Sequence, residues 1–271
     1  MVLRFARVVL LSGFAILILV PLLLVVFTSM KSNIQFYADP LGLPPALQTG
    51  NFRELFTGQP LLTYFGNSVL VTASAVLLEL VLGAMIAYGI IRSGRRVGRG
   101  MYALFVAGMA IPAQVNMLPI YSLVRKLGLA DSRVGLVAVT IALLMPLSVF
   151  MLAGFMRSLP REILEAGAID GAGEWLLLTR IAVPLSAPYL ASTAAFLFVI
   201  VWNDLLFPML LLNGKSKLTL PLAMLRFRGE YVANYTMLMT GVAVTALPMI
   251  LIYMFLQRYF IAGAMAGSLK G

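Results

Sequence analysis

The chain has 271 residues, 61% of them hydrophobic and 11% charged, with twenty Lys and Arg, ten Asp and Glu, and neither Cys nor His. That composition excludes an ordinary soluble domain, and the missing Cys and His exclude thiol chemistry, zinc sites and His-based catalysis. The formal charge of +10 fits basic loops against anionic lipid headgroups, not nucleic acid.

Arg4 and Arg7 precede a first apolar run of about 20 residues, longer than a signal-peptide core, so it reads as a retained span entering from the cytoplasm. A helix crosses a bilayer in roughly 20 apolar residues. Six such runs appear, at about 8–28, 65–91, 101–124, 134–156, 186–212 and 235–256. They are unbroken, without the short alternating strands of a barrel. The expected fold is an all-α membrane protein with six spans in a single domain.

Lys31 to Tyr64 reads as an external loop rich in Pro and Gly, too short for a domain and too polar to bury. The second span ends in RSGRRVGRG at 92–100, four arginines in nine residues, which marks the cytoplasmic side. Eleven of the twenty basic residues then fall inside and nine outside, so the cluster and the parity of six spans set the orientation. The third and fourth spans join externally near Leu127 to Arg133, the loop 157–185 lies inside, 213–234 outside, and 257–271 forms an internal tail. Both termini are therefore expected in the cytoplasm. Gly214-Lys215-Ser216 lacks the first Gly of a phosphate loop, since Met209 stands there. Asn234-Tyr235-Thr236 reads as a chance sequon, and no internal repeat supports an inverted-repeat carrier.

The stretch Pro160 to Pro184, PREILEAGAIDGAGEWLLLTRIAVP, gathers Glu162, Glu165, Asp170 and Glu174 within thirteen residues. Pro160 fits the first position of a helix, with Ser158 in capping reach, and Glu162 and Glu165 suit its positive end. Gly171 and Gly173 should stop that helix. A second short helix with Trp175 to Leu178 as its apolar face follows, ended by Pro184. Two short helices at nearly right angles against a membrane surface are expected.

This spacing resembles the EAA loop of membrane subunits of ATP-binding-cassette importers: Glu-Ala-Ala, three residues, Gly, nine residues, Ile, one residue, Leu-Pro. Here it reads Glu165, Ala166, Gly167, then Gly171, then Ile181, Val183 and Pro184, with Gly167 for Ala and Val183 for Leu. WNDLLFPMLLL at 202–212, QRYFIAGAMAGSLKG at 257–271 and LGLADSRVGL at 127–136 resemble the maltose-transporter-like, carbohydrate type of these subunits, so the likeness runs from about 65 to the end. It implies a type I importer permease in a bacterial or archaeal inner membrane, forming half of a translocation pathway. It implies a second, different permease subunit, two copies of a cytoplasmic P-loop ATPase that use ATP and Mg, and a soluble or lipid-anchored binding protein delivering a sugar. By the same resemblance this chain binds no cofactor and catalyses nothing itself.

On that resemblance, Glu165, Ala166, Gly167, Asp170, Gly171, Ile181 and Pro184 are the ATPase-coupling residues. Glu165 pairs with a basic side chain of the ATPase, and Ala166, Gly167 and Gly171 let the helix sit deep in its cleft, with Ile163 and Ile169 as apolar contacts. Glu165 has an alternative partner in Arg161 at i, i+4. The tail Gln257 to Gly271 either reaches into the ATPase interface or frays. The loop 213–234, with Arg226, Arg228 and Glu230, either meets the binding protein or is a solvated connector.

Polar groups inside a bilayer are functional candidates. Glu79 falls mid-way along the second span, Gln114 and Asn116 in the middle of the third, and Trp202, Asn203 and Asp204 towards the outer end of the fifth. Trp202 beside Asn203 and Asp204 suits a sugar, whereas interhelical hydrogen bonding accounts equally well for Gln114, Asn116 and Asn203. Pro112, Pro119, Pro146 and Pro208 are candidate kinks. Three alternatives are a polyol or glycerol-phosphate importer of the same family, an ion-coupled secondary transporter using Glu79 and Asp204, and a non-transporting membrane scaffold.

Overall fold

A computed structural model describes residues 2–230 and 234–268, and among them every regular element is helical. The order is α1 (Val2–Ser29), α2 (Asn33–Ala38), α3 (Gly50–Gly58), α4 (Leu61–Arg92), α5 (Arg95–Gly108), a 3₁₀ turn (Ala113–Asn116), α6 (Met117–Lys126) and α7 (Arg133–Met156). Then come α8 (Arg161–Ile169), α9 (Glu174–Leu177), a π turn (Leu178–Ala182), α10 (Val183–Leu185), α11 (Ala187–Trp202), α12 (Leu206–Leu211), α13 (Leu220–Glu230) and α14 (Tyr235–Ser268). Among the described residues, four helices are long and apolar enough to cross a membrane, and up to six spans result if each of two bent helix pairs counts as one.

The bends are where the sequence expectation differs. The third apolar run is broken: α5 ends at Gly108, Pro112 is extended, and the segment Ala113–Lys126 leaves at 81° to α5. Pro112 has no N–H to continue the helix and disfavours helical backbone before it, so the run splits there. The fifth run splits as well, at 203–205. Pro208 cannot donate to the carbonyl of residue 204, and it is tolerated only in the first turn of a new helix, which α12 supplies. A further 76° bend at Ser186 separates Glu174–Leu185 from α11. The sixth helix continues through 257–268, where a separate tail was expected. The side chains of 258–271 lie outside the described residues, as does the proposed reach of that tail.

The chain divides into two compact units. The first comprises residues 1–64 and 220–248. Here the segment Lys31 to Tyr64 is folded instead of an open polar loop. Lys31 is only 1% exposed and donates from Nζ to the Asp39 carbonyl at 2.7 Å, while Leu55 is equally buried. Asn51 donates to the carbonyls of Ser29 and Lys31, and Ser32 with Gln35 forms a capping box on α2. These bonds satisfy the backbone that made the segment look too polar to bury. Asn234 of the apparent sequon accepts from the Met237 N–H at the start of α14, a helix cap. The stretch 213–234 also carries the helix α13, with Leu220, Leu222 and Ala223 buried; the side chains of Arg228 and Glu230 lie outside the described residues.

The second unit comprises residues 65–219 and 249–271. It is built on α4 and α7, whose axes approach closely at Gly83: a Cβ there would lie 3.2 Å from both Ser148 and Leu152. Around the C-terminal ends of both helices a core forms from Ala84, Ala87, Tyr88, Leu152, Ala153 and Met156. That core is what the Pro160 to Pro184 stretch packs on.

Candidate coupling surface and substrate pathway

The loop 157–185 is a hook. α8 opens after Pro160, which is the N-cap residue, not the first helical one, and Ser158 bonds back to the Phe155 carbonyl without capping. Its end is as expected: Gly171 has φ +83°, the Ala172 N–H bonds to the Gly167 carbonyl and the Gly171 N–H to that of Ala168. That is a Schellman stop, which needs the left-handed residue a glycine supplies without strain. Leu164, Leu177, Leu178 and Ala182 are buried and join the core of α4 and α7, so one side of the hook is bolted to the span ends. Leu177 and Leu178 thus carry the inner face, while Trp175, expected there, is 65% exposed.

The outer side is open. Glu165, Ala166 and Asp170 are exposed, as are Ile163 and Ile169. Gly167 faces inward. A Cβ there would meet Leu177 Cδ2 at 2.8 Å and Ile181 Cδ1 at 2.9 Å, so the small residue serves the packing of α8 on its own loop. Ile181 packs against the same core, and Pro184 stands in the short α10. The side chain of Arg161 lies outside the described residues, and with it the alternative Arg161–Glu165 pair.

A contact that residue spacing does not announce ties the hook down. Glu174 accepts from the Tyr88 hydroxyl and from Arg92 Nε and Nη2, the latter at 2.6 Å. The acidic stretch and the arginine cluster are thereby joined by a forked, charge-assisted pair. On the other side of the unit, Asp131 takes φ +49°, conformationally tolerable for Asp, and its carboxylate accepts from the N–H groups of Asn213 and Gly214 and from Lys217 Nζ. These bonds, the Gly214 backbone first, hold its pKa down at about 2. Asn67, buried in α4, donates to the Ser216 and Leu218 carbonyls and accepts from Arg133. Asn67, Asp131 and Glu174 escaped the sequence reading as site residues because their partners are 66 to 151 positions away.

The polar candidates do not form one cluster. Glu79 is fully buried and accepts from Ser148 of α7, so it faces neither water nor an open pathway. Asp204 accepts from the Leu206 N–H at the start of α12 and helps line a cavity of about 10 Å³ with Ser68, Thr72, Thr140 and Thr219; Glu79 is not among its walls. Trp202 offers no open face. It is 2% exposed, stacked on Phe198 at 5.5 Å and edge-on to Phe65. Asn203 is exposed and donates to the Val199 carbonyl of its own helix. Gln114, exposed, and Asn116, half-buried, sit in the 3₁₀ turn at the bend, not mid-helix. No group of three or more His, Cys, Asp or Glu among the described residues is arranged to hold a metal.

Apolar helices able to span a bilayer, with an anchored hook whose outer face stays open, fit a multi-pass membrane protein. The chain matches over residues 79–264 the family described as binding-protein-dependent transport system inner membrane component, and it belongs to that family. It is 32% identical over 274 residues to the diacetylchitobiose uptake system permease protein NgcG of Streptomyces coelicolor, covering 98% of this chain and 90% of the relative. It is also 32% identical over 253 residues to the melibiose/raffinose/stachyose import permease protein MelC of Bacillus subtilis, covering 93% and 91%. Its fold is that of a chain in the crystal structure of a bacterial ABC transporter involved in the import of the acidic polysaccharide alginate, at TM-score 0.82, 22% identity and 96% coverage of both.

Proposed function

We propose that this chain is one membrane subunit of an ATP-driven importer and forms half of the pathway for a sugar or oligosaccharide. The observation that carries the reading is the hook: a glycine-stopped helix bolted to the ends of α4 and α7 on one side and open at Glu165, Ile163 and Ile169 on the other. A hook of that build transmits force. A push on α8 from a cytoplasmic ATPase passes through Leu164 and Leu177 into α4 and α7, and rocks the spans between inward-facing and outward-facing arrangements.

In this reading both termini are cytoplasmic, a second, different permease subunit completes the pathway, and two ATPase copies hydrolyse ATP with Mg while this chain catalyses nothing. A binding protein delivers the solute to the external segments. Glu165 meets a basic side chain of the ATPase, a charge-assisted bond worth about 1.5–3 kcal/mol. The sugar assignment is supported by relatives whose names specify di- and oligosaccharides, over nearly their whole length.

The test is gentle detergent extraction followed by mass spectrometry of what accompanies the chain. A P-loop ATPase and a second multi-span subunit are expected, together with a Glu165→Ala variant that inserts normally and transports poorly. A chain that emerges alone, with uptake following an ion gradient and indifferent to ATP, would overturn the proposal.

A further inference from the structure

Where α4 turns into α5, beside the hook, lies a groove of about 870 Å³. Its charged lining is Arg92, Arg95, Arg99, Arg157 and Glu165. Arg92 pairs with Glu174 at 2.6 Å. Arg92 is therefore already neutralised by Glu174. Arg95, Arg99 and Arg157 remain, all exposed, facing the single carboxylate of Glu165. Arg157 is held in place, its guanidinium 4.0 Å above the Tyr102 ring.

We infer that this groove seats the phosphate of an anionic phospholipid headgroup. Three arginines against one carboxylate leave an unbalanced positive site, and guanidinium forks match phosphate oxygens bidentately. The surroundings select a lipid over a free anion or an acidic peptide. Ile90, Ile91, Met156, Leu159 and Leu164 add an apolar part to the wall. Beyond Tyr102, Val106 of α5 and the C-cap residue Met109 continue the same face at i+4 and i+7, and both are exposed, as is Phe150, which stacks on Tyr102. A headgroup phosphate at the arginines thus has an apolar track for its acyl chain. Basic pockets between spans on the cytoplasmic side are suited to anionic lipids, which that leaflet carries. The inference rests on the proposed function only in putting the groove on the cytoplasmic face.

The test uses the full chain with its copurifying subunits, examined by native mass spectrometry after addition of phosphatidylglycerol or phosphatidylcholine with identical acyl chains. Phosphatidylglycerol should be retained preferentially. Arg99→Gln should reduce that retention by about tenfold or more, the scale of one lost charge-assisted bond. Arg96→Gln removes the same charge from an exposed residue outside the groove and should leave retention unchanged. Equal retention of the two lipids, or equal loss in both variants, would overturn the inference. So would displacement of the lipid by millimolar inorganic phosphate, which would make the ligand a free anion, or loss of a protein subunit in Arg99→Gln with lipid retention intact. The same spectra report the ATPase subunit, so failure of the lipid site is distinguishable from failure of the importer assignment.

Discussion

Leu177→Ala tests whether the hook transmits force through its buried side. Leu177 is 1% exposed, touches the position above Gly167, and sits in the core shared by Met156, Leu152 and Ala87. Truncating a fully buried Leu to Ala costs about 2–5 kcal/mol, from lost transfer energy plus the cavity left behind. That loss falls on the contact holding α8 to α4 and α7, so local opening of the hook should rise roughly 30-fold or more, at tenfold per 1.4 kcal/mol. The neighbouring Leu176 is 49% exposed, and Leu176→Ala should change opening by less than about threefold. Hydrogen exchange of the amides of residues 161–172 in detergent reads both variants directly. ATPase activity uncoupled from uptake should accompany Leu177→Ala, although every residue on the open face is untouched. Unchanged exchange in Leu177→Ala, or equal effects of the two variants, would refute the account of the hook as a packed lever.

Other expectations follow from the same geometry. Gly171→Val forces a β-branched residue to φ +83° and should destabilise the hook by about 1–2 kcal/mol, read as lost exchange protection at the Ala172 amide, whose bond to Gly167 closes the helix. Asp131 titrates well below an unfolded carboxyl, at about 2. Its contribution is therefore fully present above the ordinary value near 4 and is lost as pH falls through about 2. Hydrogen-exchange protection of the Asn213 and Gly214 amides, corrected for intrinsic rates, should be equal at pH 7 and pH 5 and should fall in Asp131→Ala; unchanged protection in that variant would count against the contact. Glu79→Gln keeps an acceptor for Ser148 and should preserve assembly and uptake, whereas Glu79→Leu orphans the hydroxyl at a cost of about 1–3 kcal/mol. Uptake abolished by Glu79→Gln in a normally assembled complex would favour a protonation step and count against a purely ATP-driven cycle.

Local chemistry made much of this protein readable in advance. The apolar runs announce spans because a bilayer admits only backbone that satisfies its own hydrogen bonds. Gly171 announces a helix stop because its conformation is decided within five residues. The Glu165 to Pro184 spacing carries the family resemblance for the same reason: the signal lies within one short segment. Tertiary structure decided what depends on distant partners. Trp202 looks like a sugar platform until Phe198 and Phe65 close over it, and Gly167 looks like an interface residue until Leu177 and Ile181 occupy the space above it. Lys31 looks solvated until the carbonyl of Asp39 accepts a hydrogen bond from its ammonium group. Asn67, Asp131 and Glu174 acquire their meaning only from residues far along the chain. Burial and pairing are properties of the folded neighbourhood, and a side chain carries no local mark of which neighbour will arrive.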